Sequence, residues 1–544
     1  MYRQLENTLL ILEQKKPIIF NVRGFYLLFL IVVSSCSQQN FDIAITNGFV
    51  IDGSGKPGSY QEIGIINDKI VFIGEQLPFN ARKTLDASGL VVTPGFIDPH
   101  THAIRGIFDV PTAESSLLQG ITTLTEGNDG TSPFPIEEHY RLIEQTKISP
   151  NWAVFVGQGT IREKVMGLEN RPATNDELVE MKDLVKNAML EGALGISTGL
   201  FYVPGNFTPT NEIVELSKIA AGYGGIYISH MREEAAEIIN SVQETIEIGR
   251  LAEIPVQITH HKVIGKNNWG LSKETLHLVD QAIKDKIKVS IDQYPYTASQ
   301  TSIRALIPQW AQEGGNQKLI ERIENPEIRN TLVAAVVDKI LFDRGGGHPK
   351  NVFISRCSWN TNFEGQSLAD ILIARGIDPS PENAAYLVFE IIKGGGASAV
   401  FHAISEEDVI NIMQHPFAAI GSDGPLTIFN QGAPHPRTYG TFARVLGKYV
   451  REDKVITLEE AIRKMTLLTA ETFNIHNRGR LKKGYFADIA IFNSDTIIDN
   501  ATFENPHQYA SGVAHVIVNG QIVVEDGVHN GNRPGRVLRG PGFN

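Results

Sequence analysis

The residues of this chain best suited to chemistry are histidines and carboxylates that follow short apolar runs. His100 and His102 stand one residue apart behind Gly95-Phe96-Ile97-Asp98-Pro99. In an extended strand, alternation sends both imidazoles to one face, where they form a ligand pair for a divalent cation. Later apolar runs end in the same kind of residue. One ends in Glu126-Gly127-Asn128-Asp129-Gly130, others in Ser229-His230-Met231-Arg232 and Thr259-His260-His261-Lys262. Two more run into Asp292-Gln293-Tyr294-Pro295-Tyr296 and Gly421-Ser422-Asp423-Gly424. A lone histidine at a strand end is ordinary structure, whereas this recurrence reads as a metal site. Imidazole and carboxylate donors fit one or two zinc ions, with manganese or iron as alternatives. The chemistry expected is hydrolysis, in which a metal lowers the pKa of a bound water to about 7 and polarises a carbonyl. Asp423 is suited both to ligate and to accept the proton of the attacking water, then pass it to a leaving amine. A neighbouring cation favours its ionised form.

Such residues meet only if the elements before them are parallel and in register. Strand-like runs fall at 91–97, 120–124, 152–156, 193–196, 225–228, 254–258, 287–291 and 417–420, separated by longer stretches with helical spacing of apolar residues, as in 175–191 and 233–252. Eight β-then-α units predict an α/β fold of the (β/α)8 barrel type over 91–484, with functional groups at the carboxyl ends of the strands. The eighth strand comes late, so 302–400 reads as an α/β insertion on that face, punctuated by Gly345-Gly346-Gly347 and Gly394-Gly395-Gly396. Short strands with Asn-Gly and Asp-Gly turns occupy 41–90, and a matching set occupies 485–530. These predict one small β-sandwich built from both chain ends.

Composition is that of a globular protein: 42% apolar and 20% charged, with a net charge of −12. That charge, without a basic cluster interleaved with aromatics, gives no sign of a nucleic-acid partner, and none is expected. The two cysteines, Cys36 and Cys357, allow neither a disulfide framework nor a Cys-rich zinc site. Lys15, Lys16 and Arg23 precede an apolar run from Phe25 to Val33, then Ser34-Ser35-Cys36. The layout is that of a signal peptide, and the run is too short for the roughly 20 residues of a spanning helix. Val33-Ser34-Ser35-Cys36 resembles a bacterial lipobox. Residues 1–36 are therefore expected to direct export and to anchor the protein to the membrane of a bacterial envelope through a lipid on Cys36.

Gly95-Phe96-Ile97-Asp98-Pro99-His100-Thr101-His102 resembles the opening motif of the amidohydrolase superfamily. Gly195-Ile196-Ser197-Thr198-Gly199-Leu200, Ser229-His230-Met231-Arg232-Glu233-Glu234, His260-His261-Lys262, Tyr294-Pro295-Tyr296 and His435-Pro436-Arg437 narrow the resemblance to the N-acyl-D-amino-acid deacylases. The likeness runs from about Phe41 to the C-terminus. It implies a small-molecule N-acyl amino acid as substrate and a zinc-dependent amidase. It also implies that His100, His102 and Asp423 hold one metal, that His230 and His260 hold the other, and that His261 is spare. The substrate carboxylate would be anchored by Lys262, Tyr294 and Arg437, and a bidentate guanidinium suits that task. Two departures stand out. Where the family carries a metal-ligating cysteine in a Gly-Asn-Cys-Gly turn, this chain has Asp129. A harder carboxylate replaces the thiolate, supplied by Asp129 at the motif position or by the longer Glu126 at the strand end. The stretch from Asp423 to Arg437 is also longer than the family pattern. Other readings are a cyclic-amide hydrolase or a D-residue dipeptidase with the same centre, and a lipid-anchored binding protein without turnover.

Overall fold

The structure, a computed structural model, describes residues 40–543. Cys36 and the expected export and lipid-anchor signal lie outside the described residues. Among those described, no helix is long and apolar enough to cross a membrane, and Cys357 is buried and unpaired.

Both chain ends contribute to one nine-stranded sheet. Phe41–Val50, Ser59–Ile66, Lys69–Gly74, Ala81–Asp86 and Val91–Pro94 come from the N-terminal side. Ile489–Phe492, Val513–Val518, Gln521–Glu525 and Val528–His529 come from the C-terminal side. The ends join where Ile489–Phe492 runs antiparallel to Val91–Pro94, with Ile489 opposite Pro94 and Phe492 opposite Val91. Ile489 and Ile491 are fully buried among Ile45, Ile63, Val92 and Ile517. Burying those two side chains is worth about 3–6 kcal/mol before ordering entropy is subtracted. Asn519-Gly520 forms the expected two-residue hairpin, both residues with positive φ. Asn47-Gly48, by contrast, does not interrupt its strand. Asn47 (φ 60°) forms a bulge inside Phe41–Val50 where the register shifts between Ile45 and Gly48.

Eight parallel strands then follow in chain order: β1 (Phe96–Asp98), β2 (Ile121–Glu126), β3 (Asn151–Val154, continued at Val156–Gly157), β4 (Gly195–Gly199), β5 (Ile226–His230), β6 (Val256–Ile258), β7 (Val289–Gln293) and β8 (Ala418–Ile420). They pair as two arcs, β1-β2-β3 and the continuation of β3 with β4-β5-β6-β7-β8. Nearly all their residues are buried, as in parallel strands covered on both faces. Past β8, the Ser422 N–H donates to Asp98 Oδ1 (2.9 Å) and the Asp423 N–H to the His100 carbonyl (2.7 Å), tying the last strand end to the first.

The expected first strand, 91–97, divides at Gly95. Its first half pairs in the terminal sheet and only the second joins β2. A side chain at Gly95 would lie 2.2 Å from Thr122 Oγ1, so only glycine permits the chain to cross there. The insertion begins slightly early, at Ser299. Ser299–Ser302, Ser398–Phe401 and Val352–Arg356 form an antiparallel sheet. With helices Gly315–Glu324, Pro326–Phe342, Leu368–Ala374 and Pro381–Gly394 it encloses its own core of Ile303, Leu306, Leu332, Val336, Ile340 and Val388.

Candidate metal centre

Every ligand-type residue singled out above lies at or just past the carboxyl end of a parallel strand. His100 and His102 follow β1, Asp129 follows β2, His230 ends β5, His260 follows β6 and Asp423 follows β8. Three of them hold left-handed backbone conformations that side-chain-bearing residues seldom adopt: Asp129 (φ 55°), His260 (φ 36°) and Asp423 (φ 50°). Such strain concentrates at functional sites because the surrounding structure enforces it. At Asp129 the enforcing group is Ser197 of β4, whose hydroxyl donates to the Gly127 carbonyl and accepts from the Gly130 N–H (3.2 Å). A Cβ at Gly127 would lie 2.1 Å from the Phe155 carbonyl oxygen, so the turn admits no larger residue.

Two groups of ligand atoms result. In the first, His100, His102, Asp129 and Asp423 each offer an atom within 4.8 Å of the others, and Asp129, His230 and His260 do the same in the second. Asp129 belongs to both. Its Oδ1 lies 3.4 Å from His100 Nε2 and 3.4 Å from His260 Nε2. Its Oδ2 lies 3.4 Å from His102 Nε2 and 3.6 Å from His230 Nδ1. Asp423 Oδ1 completes the first group, 3.1 Å from His102 Nε2. His100 Nε2, His230 Nδ1 and Asp129 Oδ1 are buried without a hydrogen-bond partner, which is costly unless a cation satisfies them. The donor set, four imidazoles and two carboxylates, fits a divalent ion. Electrostatics agree. Burial pushes the Asp129 carboxyl up, but His100 and His260 override it and hold the group well below the usual carboxylate range. Burial likewise opposes ionisation of Asp423, and Arg437, His102 and His100 drive it far down.

Glu126 stays out of both groups. It accepts a hydrogen bond from Thr101 Oγ1 (2.5 Å), and burial raises its carboxyl despite His102 and Thr101. Its longer side chain points to that hydroxyl, so Asp129, and not Glu126, joins the two ligand groups. His261 also turns away, with Nε2 2.8 Å from Thr275 Oγ1, and burial lowers it to about 3.

Behind the second group lies a residue that the sequence did not single out. Glu234 is fully buried, with Oε1 3.2 Å from His260 Nδ1 and Oε2 3.6 Å from His230 Nε2. Its carboxylate therefore faces the far side of both rings, while their near nitrogens face Asp129. Lys262 Nζ donates to Glu234 Oε1 (2.5 Å) and to the His260 carbonyl (2.9 Å) and lies 2.8 Å from His260 Nδ1, and Arg344 Nη2, from the insertion, donates to Glu234 Oε2 (3.1 Å). Burial raises the Glu234 carboxyl, but Lys262, His230 and His260 hold it well below its ordinary value. The only sequence signal was the four-residue spacing from His230 to Glu234, which neighbouring Glu233 obscures. Asp292 plays a comparable part, accepting from the His260 N–H (2.8 Å) and lying 3.6 Å from His100 Nδ1.

These residues open onto a cavity of about 490 Å³. Despite the long stretch before it, Arg437 returns to the site at the start of helix Arg437–Arg444, fully buried, with Nη1 2.8 Å from Asp423 Oδ2. Its guanidinium lies 4.7 Å over the Tyr294 ring. Arg437 Nε and Tyr294 Oη are both buried without a hydrogen-bond partner among the described residues, two donors beside the cavity. Lys262 lines the same wall, 5.7 Å from the Tyr294 ring, with most of its hydrogen-bonding capacity committed to Glu234 and His260.

Residues 83–524 match the model of a family described as the amidohydrolase family. A D-aminoacylase from Alcaligenes xylosoxydans xylosoxydans is 35% identical over 529 residues, covering 93% of this chain and 99% of that protein. A D-aminoacylase crystal structure concerned with a binuclear metal centre superposes with a TM-score of 0.78 at 34% identity, covering 92% of this chain and all of that one. An N-acyl-D-glutamate deacylase from Bordetella bronchiseptica, solved with zinc and a phosphonate mimic of the tetrahedral intermediate, gives 0.78 at 32% identity over the same shares. By the extent of the family match and by these full-length similarities, the chain belongs to the amidohydrolase family.

Proposed function

We propose that the protein hydrolyses the amide bond of N-acyl-D-amino acids, releasing a carboxylate and a free D-amino acid. The observation that carries this reading is the meeting, in one cavity, of two ligand groups sharing Asp129 with the unpartnered donors of Arg437 and Tyr294. The relatives named above, a D-aminoacylase and an N-acyl-D-glutamate deacylase, support it. A cyclic amide presents no free α-carboxylate to those donors, so the linear substrate is favoured.

His100, His102, Asp129 and Asp423 would hold one zinc ion, and His230 and His260, sharing Asp129, the second. A divalent ion there supplies a Lewis acid for the amide carbonyl and an acidified water. Arg437 and Tyr294 hold the substrate carboxylate, with Lys262 beside them. Asp423 enters the reaction ionised because Arg437 grips its other oxygen. Its Oδ1 takes the proton of the attacking water and returns it to the departing amine nitrogen, so water and amide yield acid and amine in balance.

The finer architecture belongs to the same reading. The two arcs are parts of one (β/α)8 barrel, supported by the eight parallel strands and the link from the end of β8 to His100. The terminal sheet folds over as a small sandwich, consistent with the burial of all four residues of Ile489–Phe492. Residues 1–36 export the protein and leave it lipid-anchored at Cys36, which metabolic palmitate labelling of wild type and Cys36→Ser tests.

The activity is tested with zinc-loaded protein and matched N-acetyl-D- and N-acetyl-L-amino acids, following free amino acid. Release from the D-series alone is expected. Failure to release a D-amino acid from any member would defeat the reading.

A further inference from the structure

The cavity over the metal centre continues outward. A chamber of about 330 Å³ abuts it, and Arg105, Gln300, Ser398 and Pro425 line both. The Gln300 partition is fixed, since its Nε2 donates to Ser355 Oγ (2.9 Å) and its Oε1 accepts from the His435 N–H (3.2 Å). A second outer chamber of about 550 Å³ shares Tyr202, Ser302 and Ser398 with the inner cavity. Arg356 lines both outer chambers, and Arg304 lines the larger. Arg105 and Arg356 are exposed and stand without an ion pair among the described residues. Asp109 is the one carboxylate in either outer lining. On a chain of net charge −12, three arginines against one aspartate make this a local excess of positive charge. The metal centre does not require them, and nothing in the anchoring of an α-carboxylate at Arg437 uses them.

We propose that the outer chambers form a second anion subsite, in which Arg105 and Arg356 bind a carboxylate at the far end of the substrate. The proposal rests on the deacylase reading for the position of the substrate. With the α-carboxylate at Arg437 and Tyr294, two arms remain, the acyl chain and the amino-acid side chain. Either can bring a terminal carboxylate past Gln300 to Arg105 or Arg356. The shared chemistry is a dianionic N-acyl-D-amino acid, recognised at both ends by guanidinium groups.

The test compares N-acetyl-D-leucine, N-succinyl-D-leucine and N-acetyl-D-glutamate, the last two placing the extra carboxylate on the acyl arm and the side-chain arm respectively. Binding is measured by calorimetry on chelator-treated full-length protein, where no turnover interferes, and kcat/KM on the zinc-loaded enzyme. At least one dianionic compound should bind about tenfold more tightly than N-acetyl-D-leucine, the size of one charge-assisted hydrogen bond. Arg105→Gln or Arg356→Gln should remove most of that advantage, and the compound that loses it identifies the arm. Equal binding of all three compounds overturns the proposal, as does an equal loss for all three in both variants. If the preference is present in binding but no compound is hydrolysed, the deacylase reading fails while the anion subsite stands.

Discussion

Glu234→Gln tests how much of the centre depends on the residue behind the ligands. The substitution keeps shape and one acceptor but removes the charge that faces Lys262 at 2.5 Å, Arg344 at 3.1 Å, His260 at 3.2 Å and His230 at 3.6 Å. Breaking a buried pair by neutralising one partner costs about 3–5 kcal/mol. The lower end applies, because Lys262 retains the His260 carbonyl and Arg344 retains the face of Phe201 at 4.0 Å. The effect on metal is separable, since only the second ligand group uses rings that Glu234 faces. Loss of such a partner weakens metal binding about 10–100-fold, or roughly 1.4–2.8 kcal/mol. Zinc titration against a competing chelator should therefore show one site weakened by that factor and the His100–His102–Asp423 site unchanged. Glu234→Asp should recover part of the loss. A folded Glu234→Gln protein that binds two equivalents of zinc with wild-type affinity would refute the assignment.

Asp129→Ala should abolish or strongly weaken binding at both positions by elemental analysis, whereas Glu126→Ala should retain full metal content; Asp129→Cys should keep metal and shift preference towards softer ions. Asp423→Asn should lower turnover about 10²–10⁴-fold with an unchanged circular dichroism spectrum, and near-normal rates would exclude it as the base. Lys464 offers a pH signature remote from the centre. It is fully buried, donating to the His415 and Ala418 carbonyls, and burial lowers it to about 8. A lysine lowered on folding favours the unfolded state while both states are protonated, so this penalty is present below pH 8 and fades as pH rises from 8 towards 10.5. The gap corresponds to about 3 kcal/mol. The melting temperature of wild type relative to Lys464→Met should therefore rise over that window, and a flat difference would contradict it.

The ends of the parallel strands were legible because buried strands read as apolar runs and the residue after each is where ligand types gather. That sufficed for His100, His102, His230 and Asp423, whereas His260 was separated from its neighbour His261 only by the family resemblance. The choice between Asp129 and Glu126 was not legible, since reach along the chain favours the longer side chain. Only the three-dimensional position of Thr101 explains why Glu126 is occupied elsewhere. Glu234 was hidden for a related reason. One of two adjacent glutamates after a histidine turns its carboxylate towards both rings, and which one depends on the turn that follows β5. The division at Gly95 escaped because Val91 and Phe96 are equally apolar, and it takes the packing of Thr122 to show that the chain changes sheets between them.

The terminal sheet has a consequence for how the protein is made. Val91–Pro94 has Phe49 and Val50 on one side from early in synthesis, but its other neighbour is Ile489–Phe492. At roughly 5–20 residues per second, the interval between the two takes about 20–80 s to synthesise. Throughout that time the growing chain carries an open strand edge flanked by buried-type isoleucines, a template for pairing with other chains. Chains ending before residue 489 should therefore accumulate as aggregates or chaperone-bound species, so the last strands act as a completion check on the whole polypeptide.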